Sequence, residues 1–219
     1  SVLRDIGEVR IIVSGSQLAS QLQREGIDAC YLPKGYDNKV IADLGIPRTE
    51  AAAFVGRVKN KVYKKRKRFL LRQEKLGRVA LLRADPGEPY NRLLNQIRCF
   101  VSADIGFGEY MIKNFEAMAA GCLLVAWRQP EQEQAALGFV EGENVVLYDS
   151  EQELEKKLAW LASDSPAAER IARAGQALVT KQHRWVDRAA VFPELLSAEI
   201  QRAPPITWRD RLKILGAGK

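Results

Sequence analysis

Histidine is almost missing from this chain and cysteine is scarce: His183 stands alone, with Cys30, Cys99 and Cys122, among 219 residues. A structural Cys/His metal site needs about four such ligands at short spacing, so no metal is expected. Each cysteine sits among apolar residues (ACYL, RCFV, GCLLV). The odd count reads as reduced, buried thiols in a cytosolic protein. Long apolar runs are absent too. The longest strongly apolar stretch, Cys122 to Trp127, is far below the ~20 residues that span a bilayer. No GxGxxG follows a strand and no GxxxxGK[ST] occurs, which disfavours a dinucleotide-linked oxidoreductase and a P-loop NTPase; no cofactor is expected. No signal peptide is visible, and a chain that starts at Ser1 reads as processed or partial.

What is present in excess is positive charge. The formal net charge is +7, against an ordinary 47% hydrophobic and 28% charged composition. The length suits one domain, or one domain plus part of another. A basic chain attracts nucleic acid, anionic membrane or phosphorylated small molecules. KKRKR (64–68) falls on a helix whose buried side is Val62, Phe69, Leu70 and Leu76, so it reads as a solvated face first, and as a phosphate or membrane contact second. No aromatics interleave with it, which disfavours nucleic acid as a partner.

Strands alternate with helices along most of the chain. VRIIVS (9–14), a helix over 16–26 and ACYLP (29–33) come first, then a short helix ending near Leu44-Gly45. A second series starts at AAAFVG (51–56). It runs through a basic helix (60–76), RVALLRA (78–84), a helix over 90–96, RCFVSA (98–103), a helix carrying Glu116, CLLVAW (122–127), a helix near 131–137 and NVVLY (144–148). Ser150 and Glu153 form a capping box for the next helix, and helices at 166–182 and 186–202 follow. The pattern predicts an α/β fold: a Rossmann-like parallel sheet with helices on both faces. Ligands of such sheets bind beyond the carboxyl ends of the strands.

That edge carries the candidate site. Gly56 allows close backbone approach where a strand meets a helix, and Arg57, Lys59 and Lys61 follow as partners for a diphosphate. IGFGEYM (105–111) brings two glycines whose backbone N–H groups suit an anion. Glu116, in the helix behind them, can accept two hydrogen bonds from a ribose diol; the plain alternative is an ion pair with Lys113 on the same helix face. His183 reads as a packing or capping residue. Trp160, Trp185 and Trp208 read as core or interface anchors.

NFEAMAAGCLLVAW (114–127) resembles the donor-site segment of GT-B glycosyltransferases. The stretch from ENVVLYDSEQELEKK through IARAGQ to HRWVDR resembles the end of the glycosyl-transferase-family-1-like, spore-maturation-type group. AAAFVGRVKNKVYKKRKRFL and YNRLLNQIRCFVSA fit the same group. The likeness covers roughly residues 28–202. It implies a donor-binding domain at 46–203, preceded at 1–45 by the end of an N-terminal acceptor domain and its linker, and followed at 204–219 by a basic tail. It also implies a UDP- or GDP-sugar donor and a glycan or lipid-linked acceptor, with a place in cell-surface polysaccharide or lipopolysaccharide synthesis. A cytoplasmic location at the inner face of the membrane follows, with the tail TWRDRLKIL docking on a neighbouring domain or lying on an anionic membrane surface. Many such enzymes carry two glutamates with seven residues between them. Glu116 matches the second, but Gly108 stands where the first would be, so Glu109 next to it becomes the catalytic candidate. Gly56, Arg57, Lys61, Gly108, Tyr110, Lys113 and Glu116 are expected to bind substrate, with the 105–113 loop facing the donor sugar. A basic non-catalytic protein for nucleic acid or membrane is the alternative of another class, and a GT-B sugar-nucleotide epimerase is a further alternative.

Overall fold

The structure, a computed structural model, describes residues 9–58 and 63–200. Its centre is a five-stranded, wholly parallel sheet in the order β4-β3-β5-β6-β7, made of β3 (Glu50–Val55), β4 (Ala80–Leu82), β5 (Ile97–Ser102), β6 (Leu123–Trp127) and β7 (Val146–Tyr148). β5 and β6 are central and covered on both faces, which is why they read as continuous apolar runs. Phe100, Val101, Leu123, Leu124 and Val125 are all buried, and a large apolar side chain fully buried contributes roughly 1.5–3 kcal/mol. The buried thiols of Cys99 and Cys122 are pushed up to about 11 and about 12, so both stay protonated and inert.

Around this sheet lie α2 (Lys64–Lys75), α3 (Glu88–Asn95), α4 (Ile112–Ala119), α5 (Glu131–Leu137), α6 (Glu151–Ser163) and α7 (Ser165–Gln182). β1 (Arg10–Val13), α1 (Ser16–Arg24) and β2 (Asp28–Tyr31) form a separate two-stranded parallel unit, and α8 (Trp185–Ser197) ends the described chain. Ser16, at the start of α1, donates its N–H and its hydroxyl to buried Glu133 of α5, at 2.8 and 2.6 Å. α8 reaches back to the same unit, where Arg10 pairs with Asp28 at 2.8 Å and donates to the carbonyls of Leu195, Ala198 and Glu199. Among the described residues no helix is long and apolar enough to cross a membrane.

Several boundaries differ from the sequence reading. The helix expected before Leu44-Gly45 does not form. Asp37 makes a turn, its carboxylate accepting the Lys39 N–H at 2.9 Å, because a short acidic side chain competes with helical hydrogen bonds. The backbone N–H groups of Ala42 and Leu44 are taken instead by the side chains of Asn91 and Asn95, at 3.2 and 2.7 Å. Glu153 accepts from Asp149 rather than from the capping residue itself, so the box at Ser150 is half complete. Leu76, expected on the buried side of its helix, is exposed; Trp160 and Trp185 are exposed too and so are not core residues. Val62 and Trp208 lie outside the described residues.

The chain leaves β3 toward β4 on one side and returns to β5 on the other. This reversal opens a crevice beyond the strand ends, where open α/β sheets hold their ligands.

Candidate functional site

The crevice is a cleft of about 710 Å³, within the usual range for small-molecule sites. The loop after β5 shapes one side. Asp104 is buried and accepts hydrogen bonds from Ser102 Oγ (3.0 Å), Met111 N–H (3.1 Å) and Asn114 Nδ2 (2.8 Å). Burial pushes its carboxyl upward against the pull of those three donors. Gly106 and Gly108, at φ of 79° and 72°, then make turns that side-chain-bearing residues rarely adopt. The loop delivers Glu109 to the seam between the main sheet and the N-terminal unit. There its Oε2 pairs with Lys34 Nζ at 2.7 Å and accepts from Ser14 Oγ at 2.9 Å.

α4 starts at the end of this loop and turns Lys113 and Glu116 into the cleft. Tyr90, from the opposite helix α3, donates its hydroxyl to Glu116 Oε2 at 2.6 Å. Burial first, and Glu116 second, push the phenol far above its ordinary range, so it remains a donor. Lys113 Nζ lies 4.8 Å from the Tyr90 ring centroid, a cation–π distance. Its ammonium also fills the space beside Gly56: a Cβ there would come within 3.3 Å of Nζ. Burial lowers the Lys113 pKa, while the Glu116 charge opposes the shift. The Lys113–Glu116 ion pair is not formed within 4 Å among the described residues. Tyr63 and Phe107, ring centroids 5.0 Å apart, make an aromatic corner with Arg66 lying 4.3 Å from the Tyr63 ring centroid. Val40, Ile41, Met111, Ile112 and Trp185 supply apolar wall, and Gly87 opens the start of α3 onto the cleft.

The expected residues separate under this geometry. Glu109, Lys113 and Glu116 line the one cleft, with Gly56 against Lys113. Gly108 faces Gln17 of α1 across a second, adjoining cavity of about 520 Å³ that shares Phe107 and Glu109 with the first. Arg57 is exposed at the end of β3, outside the lining of both. Lys61 and Lys59 lie outside the described residues. Tyr110 departs from the expectation: its side chain is 1% exposed and packs edge-on against Phe139, inside the core and outside the lining of both cavities. His183 is buried as well, its Nε2 3.0 Å from Leu137 O and its Nδ1 2.5 Å from Arg188. Burial, helped by the Arg188 charge, lowers its pKa to about 4, so the ring is neutral.

Tyr90, Lys34 and Trp185 were missed. Only the DPGEPY turn gave a signal, since a helix that starts on Gly87 with Pro89 in its first turn, at a strand's carboxyl end, puts Tyr90 at the ligand edge. Among the described residues no cluster of His, Cys, Asp and Glu could hold a metal ion.

A family model described as glycosyl transferase-like matches residues 49–193. No curated protein sequence matches the chain. Solved structures do. Sucrose-phosphate synthase from Thermosynechococcus elongatus superposes with a TM-score of 0.65 at 16% identity, over 88% of this chain and 59% of that one. Anabaena HepE, crystallised in complex with UDP, gives 0.63 at 16% identity, over 85% and 63%. The pneumococcal O-GlcNAc transferase GtfA, in complex with UDP and GlcNAc, gives 0.56 at 12% identity, over 86% and 46%. At such identities the likeness is one of fold, and the chain spans about three-fifths of the length of the first two.

Proposed function

The chain belongs to the glycosyl transferase-like family, and on that premise we propose that it is the donor-binding part of a GT-B enzyme that transfers a sugar from a nucleotide-sugar to a glycan or lipid-linked acceptor. The observation that carries this reading is the placing of Glu116 and Lys113 side by side, unpaired with each other, on one helix face inside the cleft. With Oε2 occupied by Tyr90, the other carboxylate oxygen of Glu116 is left to accept from a ribose hydroxyl. One helical turn earlier, Lys113 stands beside Gly56 as the cation for the diphosphate. Tyr63, Phe107 and the apolar wall give the base a surface to pack on.

In this reading the donor sugar lies toward Glu109, at the junction of the two cavities. Lys34 and Ser14 hold that carboxylate in place. Bond cleavage leaves negative charge on the diphosphate. Lys113 and the backbone N–H groups at the start of α4 meet that charge as it develops, and fixed donors of this kind lower the barrier. Residues 1–45 are read as the end of an acceptor-side domain and its linker, and 46–203 as the donor domain. The spore-maturation-type subgroup and a role in cell-surface polysaccharide assembly belong to the same proposal. HepE is described in complex with UDP and with UDP-glucose, which supports a uridine nucleotide as the first ligand to try.

The test is a thermal-shift series with UDP, GDP, their glucose conjugates and ATP. A ligand at about 100 times its Kd stabilises by roughly 2.7 kcal/mol, a rise of roughly 5–10 °C for a chain of this size. UDP or GDP should give it and ATP should not. A flat response to every nucleoside diphosphate would defeat the proposal.

A further inference from the structure

α2 is the most charged element of the fold. Within KKRKRFLLRQEK seven side chains are basic and one, Glu74, is acidic. Its rotation about its own axis is fixed from inside: Arg66, Phe69, Leu70 and Gln73, at i, i+3, i+4 and i+7, are buried. Arg66 lies over Tyr63 and its Nη1 is 2.6 Å from Met111 Sδ. The opposite stripe, Lys64, Arg68, Leu71 and Lys75, therefore faces solvent at i, i+4, i+7 and i+11, with Lys65 and Lys67 flanking it. It is about 16 Å long. Arg72 is neutralised by Glu151 at 2.8 Å. Lys64, Lys65, Lys67, Arg68 and Lys75 make no ion pair within 4 Å among the described residues. Leu71 and Leu76 are exposed beside them, at 43% and 49%.

We propose that this face of α2 is the surface by which the protein lies on an anionic membrane. Uncompensated cations along a straight helix face complement a sheet of lipid phosphates, and Leu71 among them and Leu76 at the helix end can enter the acyl boundary of a bilayer. Nucleic acid fits the same charge less well. Single strands are held by aromatic stacking, and the one aromatic at the head of this helix, Tyr63, is turned inward against Phe107. Tyr63 also lines the cleft. A membrane against α2 therefore borders the mouth of the nucleotide site, where an acceptor carried by a lipid would arrive. The docking surface stands on charge and exposure alone and does not depend on the ligand of the cleft.

The full chain should be sedimented with phosphatidylcholine vesicles and with the same vesicles containing about 30% phosphatidylglycerol. The parent should bind the second only, and should lose most of that binding as salt is raised from about 0.05 to 0.3 M. Changing Lys64, Lys67, Arg68 and Lys75 together to Gln keeps good helix formers on an exposed face. At about fivefold per cation, the four changes together should cost roughly a hundredfold or more in partitioning. The basic tail is identical in both proteins, so the difference reports the helix. Leu71→Ser with Leu76→Ser should remove severalfold of the binding that survives in high salt. Equal vesicle binding by the parent and the four-Gln protein overturns the proposal. So does parent binding to a single-stranded oligonucleotide that is as tight as to the anionic vesicles and is lost in the four-Gln protein, since the face would then serve nucleic acid.

Discussion

Glu116 has one carboxylate oxygen tied to Tyr90 and no partner among the described residues on the other, an arrangement that suits a ligand hydroxyl. Glu116→Gln keeps the size and removes the charge. It should weaken a uridine or guanosine ribonucleotide by roughly 1.5–3 kcal/mol in calorimetry and leave a 2′,3′-dideoxy nucleotide almost unaffected. Tyr90→Phe frees Glu116 to turn and should cost less, about 0.5–1.5 kcal/mol, with the same preference for the ribose form. Equal binding by parent and Glu116→Gln would reduce the carboxylate to a surface charge held by Tyr90. His183 makes a different prediction. Its folded pKa of about 4 lies below the ordinary 6.5, because burial and then Arg188 disfavour the imidazolium. Between those values the unfolded chain binds a proton that the native state refuses. Its contribution is therefore whole above pH 6.5, falls as the pH drops toward 4, and is flat below, by up to about 3 kcal/mol. Urea unfolding at the two ends of that window, for the parent and His183→Gln, should show a smaller loss in the variant.

At the scale of elements, α7 sits close against its neighbours because of one residue. A Cβ on Gly175 would stand 2.6 Å from Asn144 O and 2.9 Å from Met118 Cε. Gly175→Ala must therefore push the helix outward, and strain of this kind costs roughly 1–3 kcal/mol; a fall in melting temperature without loss of helical circular dichroism checks it. The elements legible in sequence share one property, that local periodicity carries their information. β5 and β6 announce themselves as apolar runs, α4 as an amphipathic turn after a glycine loop, and α6 through its Ser150 cap. What escaped depends on pairs far apart in the chain. The backbone at 42–44 is satisfied by Asn91 and Asn95, the start of α1 is capped by Glu133, and Glu109 is held by Lys34. Arg66 vanished into a basic run although it is buried. In the site the same division holds: Glu116 and Lys113 were visible on one helix, whereas Tyr90 and Trp185 come from elements whose approach no local pattern records.

The molecule as a whole is fastened where residues 33–36 pass under the α7–α8 corner. Tyr36 N–H donates to His183 O at 3.0 Å, Trp185 N–H donates to Tyr36 O at 2.9 Å, and Gly35 leaves no room there for a Cβ. Arg188 adds a hydrogen bond to Pro33 O, 155 residues away along the chain. The consequence is one of timing. Closing so long a loop costs entropy that is recovered only when the intervening structure is already in place, so this fastening forms after the sheet and opens before it. Lys34, Asp37 and Trp185, which complete the cleft, arrive with it. A chain with its sheet formed but its ends apart would own Glu116 and Lys113 and still lack one wall of the cleft. Hydrogen exchange reads this directly: the Tyr36 and Trp185 amides should exchange faster than that of Phe100, and saturating UDP should slow the first two far more than the third. Equal protection of all three without ligand would mean that the fastening and the sheet open together, as a single cooperative unit.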